Sequence, residues 1–394
     1  MKLEFNYFIP TRILFGAGKL KELATTRYLP GKKALIVISS GGSMKKQGYL
    51  DRVTGYLAER GIQSVVFDKI LPNPIAQHVG EGAALAKREG CDFVIGLGGG
   101  SSIDSAKSIA VMVKNEGEYW DYMWTGTGKK MRLSGQALPI VAIPTTAGTG
   151  TEANPWAVIT KTETNEKIGS GAGYTFPTLS IVDPELMLSI PPKLTAYQGM
   201  DAFFHAVEGY ISTQSNLASD IFALDAIGLI TRYLPLAVKD GSNMEARSGM
   251  AWASTQAGFV ESLSLLISHH ALEHSISGRH PDVTHGAGLT ATSVSYFSYL
   301  AKHNVSRLSD IARKMGENVD KMPEDKKPFA FITALKKLIK KVGLENATLA
   351  SFGLKKEEAE VIAQNSLETG GLQYLCTPVP LTKENIVEIF ESCF

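Results

Sequence analysis

Short apolar runs rich in valine and isoleucine recur through the first half of the chain: ALIVIS (34–39), SVVFD (64–68), FVIGLG (93–98), PIVAI (139–143), AVIT (157–160) and LSIVD (179–183). Segments of helical pattern separate them. This alternation predicts a parallel sheet covered by helices, with all six runs as its strands. Past Pro191 and Pro192 the pattern changes to long amphipathic segments, such as SDIFALDAIGLITRYLPLAV from Ser219 and KPFAFITALKKLIKKVG from Lys327. That half is expected to be helical, with the polar stretch GENVDKMPEDKK from Gly316 as an exposed connection. A chain of 394 residues exceeds one ordinary core. The expected organisation is an α/β domain over residues 1–188, with a Rossmann-like parallel sheet, followed by an all-α domain over residues 189–394.

The strand FVIGLG runs directly into GGGSSIDSAKSIAVMV, so that Gly98, Gly99 and Gly100 end a strand and Ser101 opens a helix. Glycine removes side chains where backbone must approach something closely, and a helix amino terminus offers free N–H groups and a positive dipole end to phosphate oxygens. Ile103, Ala106, Ile109 and Val113 give this helix its buried stripe, and Asp104 is expected in its first turn. A second loop, IPTTAGTGTEAN (143–154), follows the strand PIVAI and is dense in hydroxyls and open amides suited to phosphate, ribose or a nicotinamide amide. Together the loops point to a dinucleotide. A third loop, SSGGSMKKQG from Ser39, follows the first of these runs, where an acidic residue would bind a ribose 2′-hydroxyl and repel a 2′-phosphate. It carries none. Gly41, Gly42, Ser43, Lys45 and Lys46 offer amides, a hydroxyl and positive charge instead, so NADP(H) is expected over NAD(H).

The second half carries a different chemical signal. Of eight histidines, five lie between His269 and His285. In LTAYQGMDAFFHAVEGY, Asp201 and His205 stand four apart and share a helix face; in ISHHALEHSISGRHPDVTHGAG, His270 and His274 do the same, and His285 follows in a loop or at the start of the next helix. Imidazoles with one carboxylate suit Fe(II) or Zn(II). Asp201, His205, His270 and His285 make a plausible set, although spacing alone would allow His274 in place of His270.

Composition narrows the field. Hydrophobic residues are 44 % and charged residues 20 %, the net charge is +1, and no basic cluster suggests a nucleic-acid partner. The amino terminus lacks the uninterrupted apolar core of a signal peptide, and no window is expected to reach membrane-spanning length, which favours a cytoplasmic protein. Cys91, Cys376 and Cys393 are scattered without a CxxC spacing, which suits a reducing compartment and argues against both a disulfide framework and a thiolate metal site.

FGAG at Phe15, GGGSSIDSAK at Gly98, PTTAGTGTE at Pro144, IVDPEL at Ile181, GMDAFFHAVE at Gly199, HALEH at His270 and THGAG at Thr284 together resemble the iron-containing alcohol dehydrogenases, in order and over almost the whole chain. The resemblance implies a dehydroquinate synthase-like architecture, with the active site in the cleft between a dinucleotide domain and a helical metal-binding domain. It selects His270 over His274, making Asp201, His205, His270 and His285 the ligands of Fe(II), with Zn(II) or another divalent ion possible. It implies that Gly98 to Ser101 hold the pyrophosphate, that Asp104, Thr145, Thr146, Thr149 and Lys167 line the rest of the cofactor site, and that His274 lies near the nicotinamide as a proton relay. The implied activity is hydride transfer between NAD(P)(H) and a short-chain alcohol or aldehyde, with an NAD-dependent diol or glycerol dehydrogenase as alternative and a non-catalytic metal-binding protein as a distant third. SGGSMKK, and EYWDYMW at Glu118, are most similar to the NADPH-using butanol dehydrogenase and aldehyde reductase branch. A homodimer is implied, for which an edge strand within residues 2–13 could serve.

Several residues depart from the family pattern. Thr151 stands where serine is common, the connection from His274 to His285 is about one residue longer than in propanediol-type members, and TPVP at Thr377 replaces an asparagine-proline-arginine run. Trp156, where some relatives hold asparagine beside the nicotinamide, together with Phe259 suggests a narrow apolar substrate slot.

Overall fold

The computed structural model describes residues 4–394. It divides into two compact units, one of Ile9–Ser189 and one of Ile190–Phe394 together with the segment ending at Phe8.

The first unit holds strands β1 (Arg12–Phe15), β2 (Lys33–Ser39), β3 (Gln63–Ile70), β4 (Phe93–Gly98), β5 (Ile140–Pro144), β6 (Ala157–Lys161), β7 (Glu166–Ser170) and β8 (Leu179–Val182). Its helices are α1 (Ser43–Lys46), α2 (Tyr49–Glu59), α3 (Ala76–Glu89) and α4 (Gly100–Val113). Six strands form a parallel sheet in the order β1-β8-β5-β4-β2-β3. The apolar runs lack a polar alternate because both faces are covered. Leu35 and Val37 of β2 join a core with Val79, Ala83 and Ile109 of α3 and α4, while Ala34, Ile36 and Ile38 join another with Leu50, Val53 and Leu57 of α2. Strand order reverses between β2 and β4, which pair directly. At such a switch point the carboxyl ends of two neighbouring strands open a crevice for ligands. The segments leaving it are SGG (40–42) and the glycine run at Gly98.

Two expectations need correcting here. AVIT is not in the parallel sheet: β6 pairs antiparallel with β7 in a separate hairpin. Only residues 162–165 join them, too few for the crossover a parallel pair requires. The sixth parallel strand is β1, which pairs with β8 from Arg12↔Leu179 to Phe15↔Val182. The edge strand expected within residues 2–13 thus reduces to Arg12 and Ile13 at the start of β1; residues 4–11 adopt no strand, and residues 1–3 lie outside the described residues.

The second unit is helical: α5 (Pro192–Ile211), α6 (Leu217–Lys239), α7 (Met244–Ser264), α8 (Ser268–Arg279), α9 (His285–Lys302), α10 (Arg307–Lys314), α11 (Lys327–Lys341), α12 (Ala359–Gly370), α13 (Leu372–Cys376) and α14 (Lys383–Glu391). Contrary to the sequence expectation, α6 is long and apolar enough to cross a membrane by length and composition, with a mean hydropathy of 1.6. Packing within the unit accounts for part of that apolarity, while Leu217, Ile221 and Leu236 remain exposed. Ala223, Ala226, Ile227, Ile230 and Leu234 of α6 are buried, and a Cβ on Gly199 of α5 would sit 2.2 Å from Leu234.

Candidate metal centre and dinucleotide loops

Three helices of the second unit bring the acidic and imidazole groups together. Proline in the first turn of α5 needs no hydrogen-bond partner for its missing N–H and starts the helix that carries Asp201 and His205 one turn apart. His270 lies in the first turn of α8, and His285 is the first residue of α9. One ligand-type atom from each of Asp201, His205, His270 and His285 lies within 4.8 Å of every other. Asp201 Oδ1 is the common neighbour, 3.5 Å from His285 Nε2, 3.7 Å from His270 Nε2 and 3.7 Å from His205 Nδ1. The His205 and His270 rings stack at 4.5 Å.

Buried polar atoms in proteins are ordinarily hydrogen-bonded. Here Asp201 Oδ1 and His270 Nε2 are buried without a hydrogen-bond partner. The charges point the same way. Burial would raise the Asp201 carboxyl, but His205, His285 and His270 hold it well below the usual carboxylate range. Burial pushes His205 down to about 4, keeping that imidazole neutral. Burial also opposes charge on His270, yet Glu208 and Asp201 draw it up to about 10, because two buried carboxylates demand a positive charge between them. A divalent cation meets that demand, and one carboxylate with three imidazoles is a fitting donor set. His274 is also buried, its ring 5.3 Å from that of His285 and 6.2 Å from that of His270, but it does not join the four-residue group around Asp201.

The α/β unit presents a contrasting arrangement. Gly98 has φ 143°, a conformation that favours glycine, and a Cβ on Gly100 would lie 2.6 Å from Thr149 Cγ2. The loop after β5 therefore rests directly on the glycine run. Thr145 N donates to Gly98 O at 2.9 Å, and Thr146 flanks Gly99. Helix α4 begins at Gly100, one residue earlier than expected, so Asp104 falls beyond its first turn. The Asp104 carboxylate is buried and accepts from Thr151 Oγ1 at 2.6 Å and Val158 N at 2.9 Å. Burial raises its pKa against the pull of Lys107. Ser101 donates its hydroxyl to Pro72 O, and Lys167 Nζ donates to Asn73 Oδ1 at 3.1 Å. Gly41, Gly42 and Ser43 lie at the start of α1, where Gly42 takes φ 74°. Lys45 is not free: its ammonium lies 2.5 Å from Asp68 Oδ2, so an acidic group missing from the loop itself arrives from β3.

Sequence comparison places the fold. The profile described as iron-containing alcohol dehydrogenase matches residues 10–184, and that of the Fe-containing alcohol dehydrogenase family, C-terminal, matches residues 195–394. The chain belongs to the iron-containing alcohol dehydrogenase family. It is similar to the 1,3-propanediol dehydrogenase of Klebsiella pneumoniae, 35 % identical over 99 % of both chains, and to the NAD-dependent methanol dehydrogenase of Bacillus methanolicus, 35 % identical over 98 % of this chain and 99 % of that one. The crystal structure of an archaeal halo-thermophilic alcohol dehydrogenase from a Red Sea brine pool superposes with a TM-score of 0.94, at 33 % identity and full coverage of both chains.

As an iron-containing alcohol dehydrogenase the chain is an oxidoreductase of alcohols, and four further residues of its site went unread in the sequence. Glu208, fully buried, faces His270 Nδ1 at 2.6 Å and His269 Nδ1 at 2.8 Å, and Glu273 bonds His285 Nδ1. Both stand three residues after a histidine of the group, in HAVE and HALE, which is the spacing of one helix turn. A Cβ on Gly286 would lie 2.0 Å from Tyr197 O, so only glycine lets the start of α9 press against α5 and bring His285 toward Asp201. Lys107 is fully buried and donates to Thr151 Oγ1 at 2.7 Å, Asn154 O at 2.8 Å and Trp156 O at 2.7 Å. The proposed slot residues fall in different units. Trp156 is partly buried beside β6, whereas Phe259 of α7 packs against Phe222 and Trp252.

Proposed function

We propose that this alcohol dehydrogenase reduces short-chain aldehydes to primary alcohols with NADPH, using Fe(II), or another divalent metal, held by Asp201, His205, His270 and His285. The observation that carries the reading is the buried cluster in which Asp201 Oδ1 and His270 Nε2 have no hydrogen-bond partner. When bound, the metal would lower the pKa of an alcohol or polarise a carbonyl, and the dinucleotide would carry the hydride. The protein's part is placement. Amides at Gly98 to Ser101 and the start of α4 would hold the pyrophosphate, with Asp104, Thr145, Thr146, Thr149 and Lys167 fixing the loops around the cofactor. His274, buried beside His285, would pass a proton through a ring nitrogen. Trp156 would narrow the substrate slot.

NADPH preference is supported by Gly41, Gly42, Ser43 and Lys46, and the reductive direction by the reduced state in which cells keep that cofactor. A specific observation favours a second reading with NADH: Asp68 neutralises Lys45 and would repel a 2′-phosphate. The test is NADPH and NADH oxidation with butanal, using protein purified without oxygen and loaded with Fe(II). Chelator-sensitive turnover supports the metal-dependent reading; equal or better kcat/KM with NADH removes the NADPH preference; no turnover from folded, loaded protein turns the search to another substrate class. Trp156→Ala should broaden activity toward longer aldehydes, and an unchanged profile counts against the slot.

A further inference from the structure

Two histidines of the metal group are held in the same way. His270 and His285 each turn Nε2 toward Asp201 Oδ1, at 3.7 and 3.5 Å, and each sets Nδ1 against a buried glutamate, Glu208 or Glu273. A carboxylate against Nδ1 keeps the proton there and leaves the Nε2 lone pair for a metal. Both glutamates are fully buried in a unit where burying a negative charge is costly without a purpose or a partner.

Glu208 also fixes the helix that carries its histidine. The residue before α8, Ile267, has no capping side chain of its own; its N–H donates to Glu208 Oε2 at 3.2 Å, and the next N–H, on Ser268, donates to Thr377 Oγ1 at 3.0 Å. His269, one position before His270, occupies the same Glu208 oxygen but faces Leu289 O and Thr292 Oγ1 with its other nitrogen, at 3.2 and 3.1 Å. Both of its nitrogens are engaged within the protein. Glu208 therefore separates two adjacent histidines into an anchor and a ligand.

We propose that Glu208 and Glu273 are positioning residues of the metal centre, each fixing the tautomer and ring orientation of one metal-facing histidine. The proposal rests on the metal reading and goes beyond it in assigning two carboxylates that do not themselves face Asp201. Outer carboxylates of this kind typically carry about 10- to 100-fold in metal affinity.

The experiment uses the full chain stripped of metal, with Glu208→Gln, Glu273→Gln and, as a control for scaffold effects, Thr377→Val. Zn(II) affinity is read by competition with a chromophoric chelator, ring placement by the visible spectrum of the Co(II) form, and scaffold integrity by the Tm of the metal-free protein. Each glutamine variant is expected to bind Zn(II) about 10- to 100-fold more weakly, with a shifted Co(II) spectrum and a metal-free Tm close to that of the parent. Thr377→Val is expected to lower Tm and leave Zn(II) affinity unchanged. Parent-like Zn(II) affinity and Co(II) spectrum in both glutamine variants overturn the proposal. Should one variant fail to fold, the other carries the same test; failure of both assigns the carboxylates to the scaffold and overturns it equally. A parent protein that binds no Zn(II) would instead defeat the metal reading underneath.

Discussion

The cluster around Asp201 in the helical unit and the network around Lys107 in the α/β unit treat buried polar groups in opposite ways. Around Asp201, side chains from three helices converge and two of their atoms stay without a hydrogen bond inside the protein. Around Lys107 the side chains satisfy one another: its ammonium meets a hydroxyl and two carbonyls, and the same hydroxyl donates to Asp104. Toward the proposed dinucleotide, what the loops offer is main chain, the glycine run and the start of α4. A cation is met by converging side-chain lone pairs, whereas an anion is met by N–H groups that any residue could supply, provided side chains stay clear.

The sharpest way to break this contrast is Asp201→Ala. It should abolish metal retention, read by elemental analysis, and lower kcat/KM by at least about 10³-fold, since Lewis-acid assistance amounts to several kcal/mol. Dinucleotide binding, followed by nicotinamide fluorescence, should persist; its loss would mean the two regions are not separable. Lys107→Met should then act on the other side, leaving two carbonyls and the Asp104 charge uncompensated at a cost of about 3–5 kcal/mol in urea unfolding, with the metal cluster's own affinity unchanged. A smaller effect is expected of Gly286→Ala, which changes none of the four metal-facing side chains. Its Cβ would press on Tyr197 O, costing about 1–3 kcal/mol, and should weaken metal binding by displacing His285. Unchanged chelator competition in that variant would show that α9 can shift without moving the site. The mildest change, Thr151→Ser, keeps the hydroxyl between Lys107 and Asp104 and should cost no more than about 0.8 kcal/mol for the lost methyl.

Asp201 with His205, and His270 with His274, stand out because aspartate and histidine at helical spacing are uncommon, whereas the choice of His270 over His274 rests on the family resemblance. Glu208 and Glu273 follow the same spacing but do not stand out in the sequence, since glutamate is an ordinary residue on a helix and only burial distinguishes these two. The contact of Gly286 with Tyr197 joins residues far apart in sequence and has no local signature. The parallel sheet was readable from its doubly covered apolar runs, yet AVIT shares their composition and differs only in the four-residue turn that follows it. The four residues of β1, RILF, were too short to register as a sheet member. In α6 the same apolar character that fills a helical interior reached the length of a membrane span, and composition cannot separate the two.

The order of these residues along the chain also sets a timetable. Asp201 and His205 leave the ribosome together, but His285 follows 84 positions after Asp201 by their numbers. At roughly 5–20 residues per second, that interval lasts roughly 4 to 17 seconds. During it the nascent chain holds an incomplete ligand set, first a pair and then three, and α9 has yet to close against α5. The proposed ligand set is therefore complete only once His285 has been made, with the last 109 residues of the chain, by their numbers, still to follow.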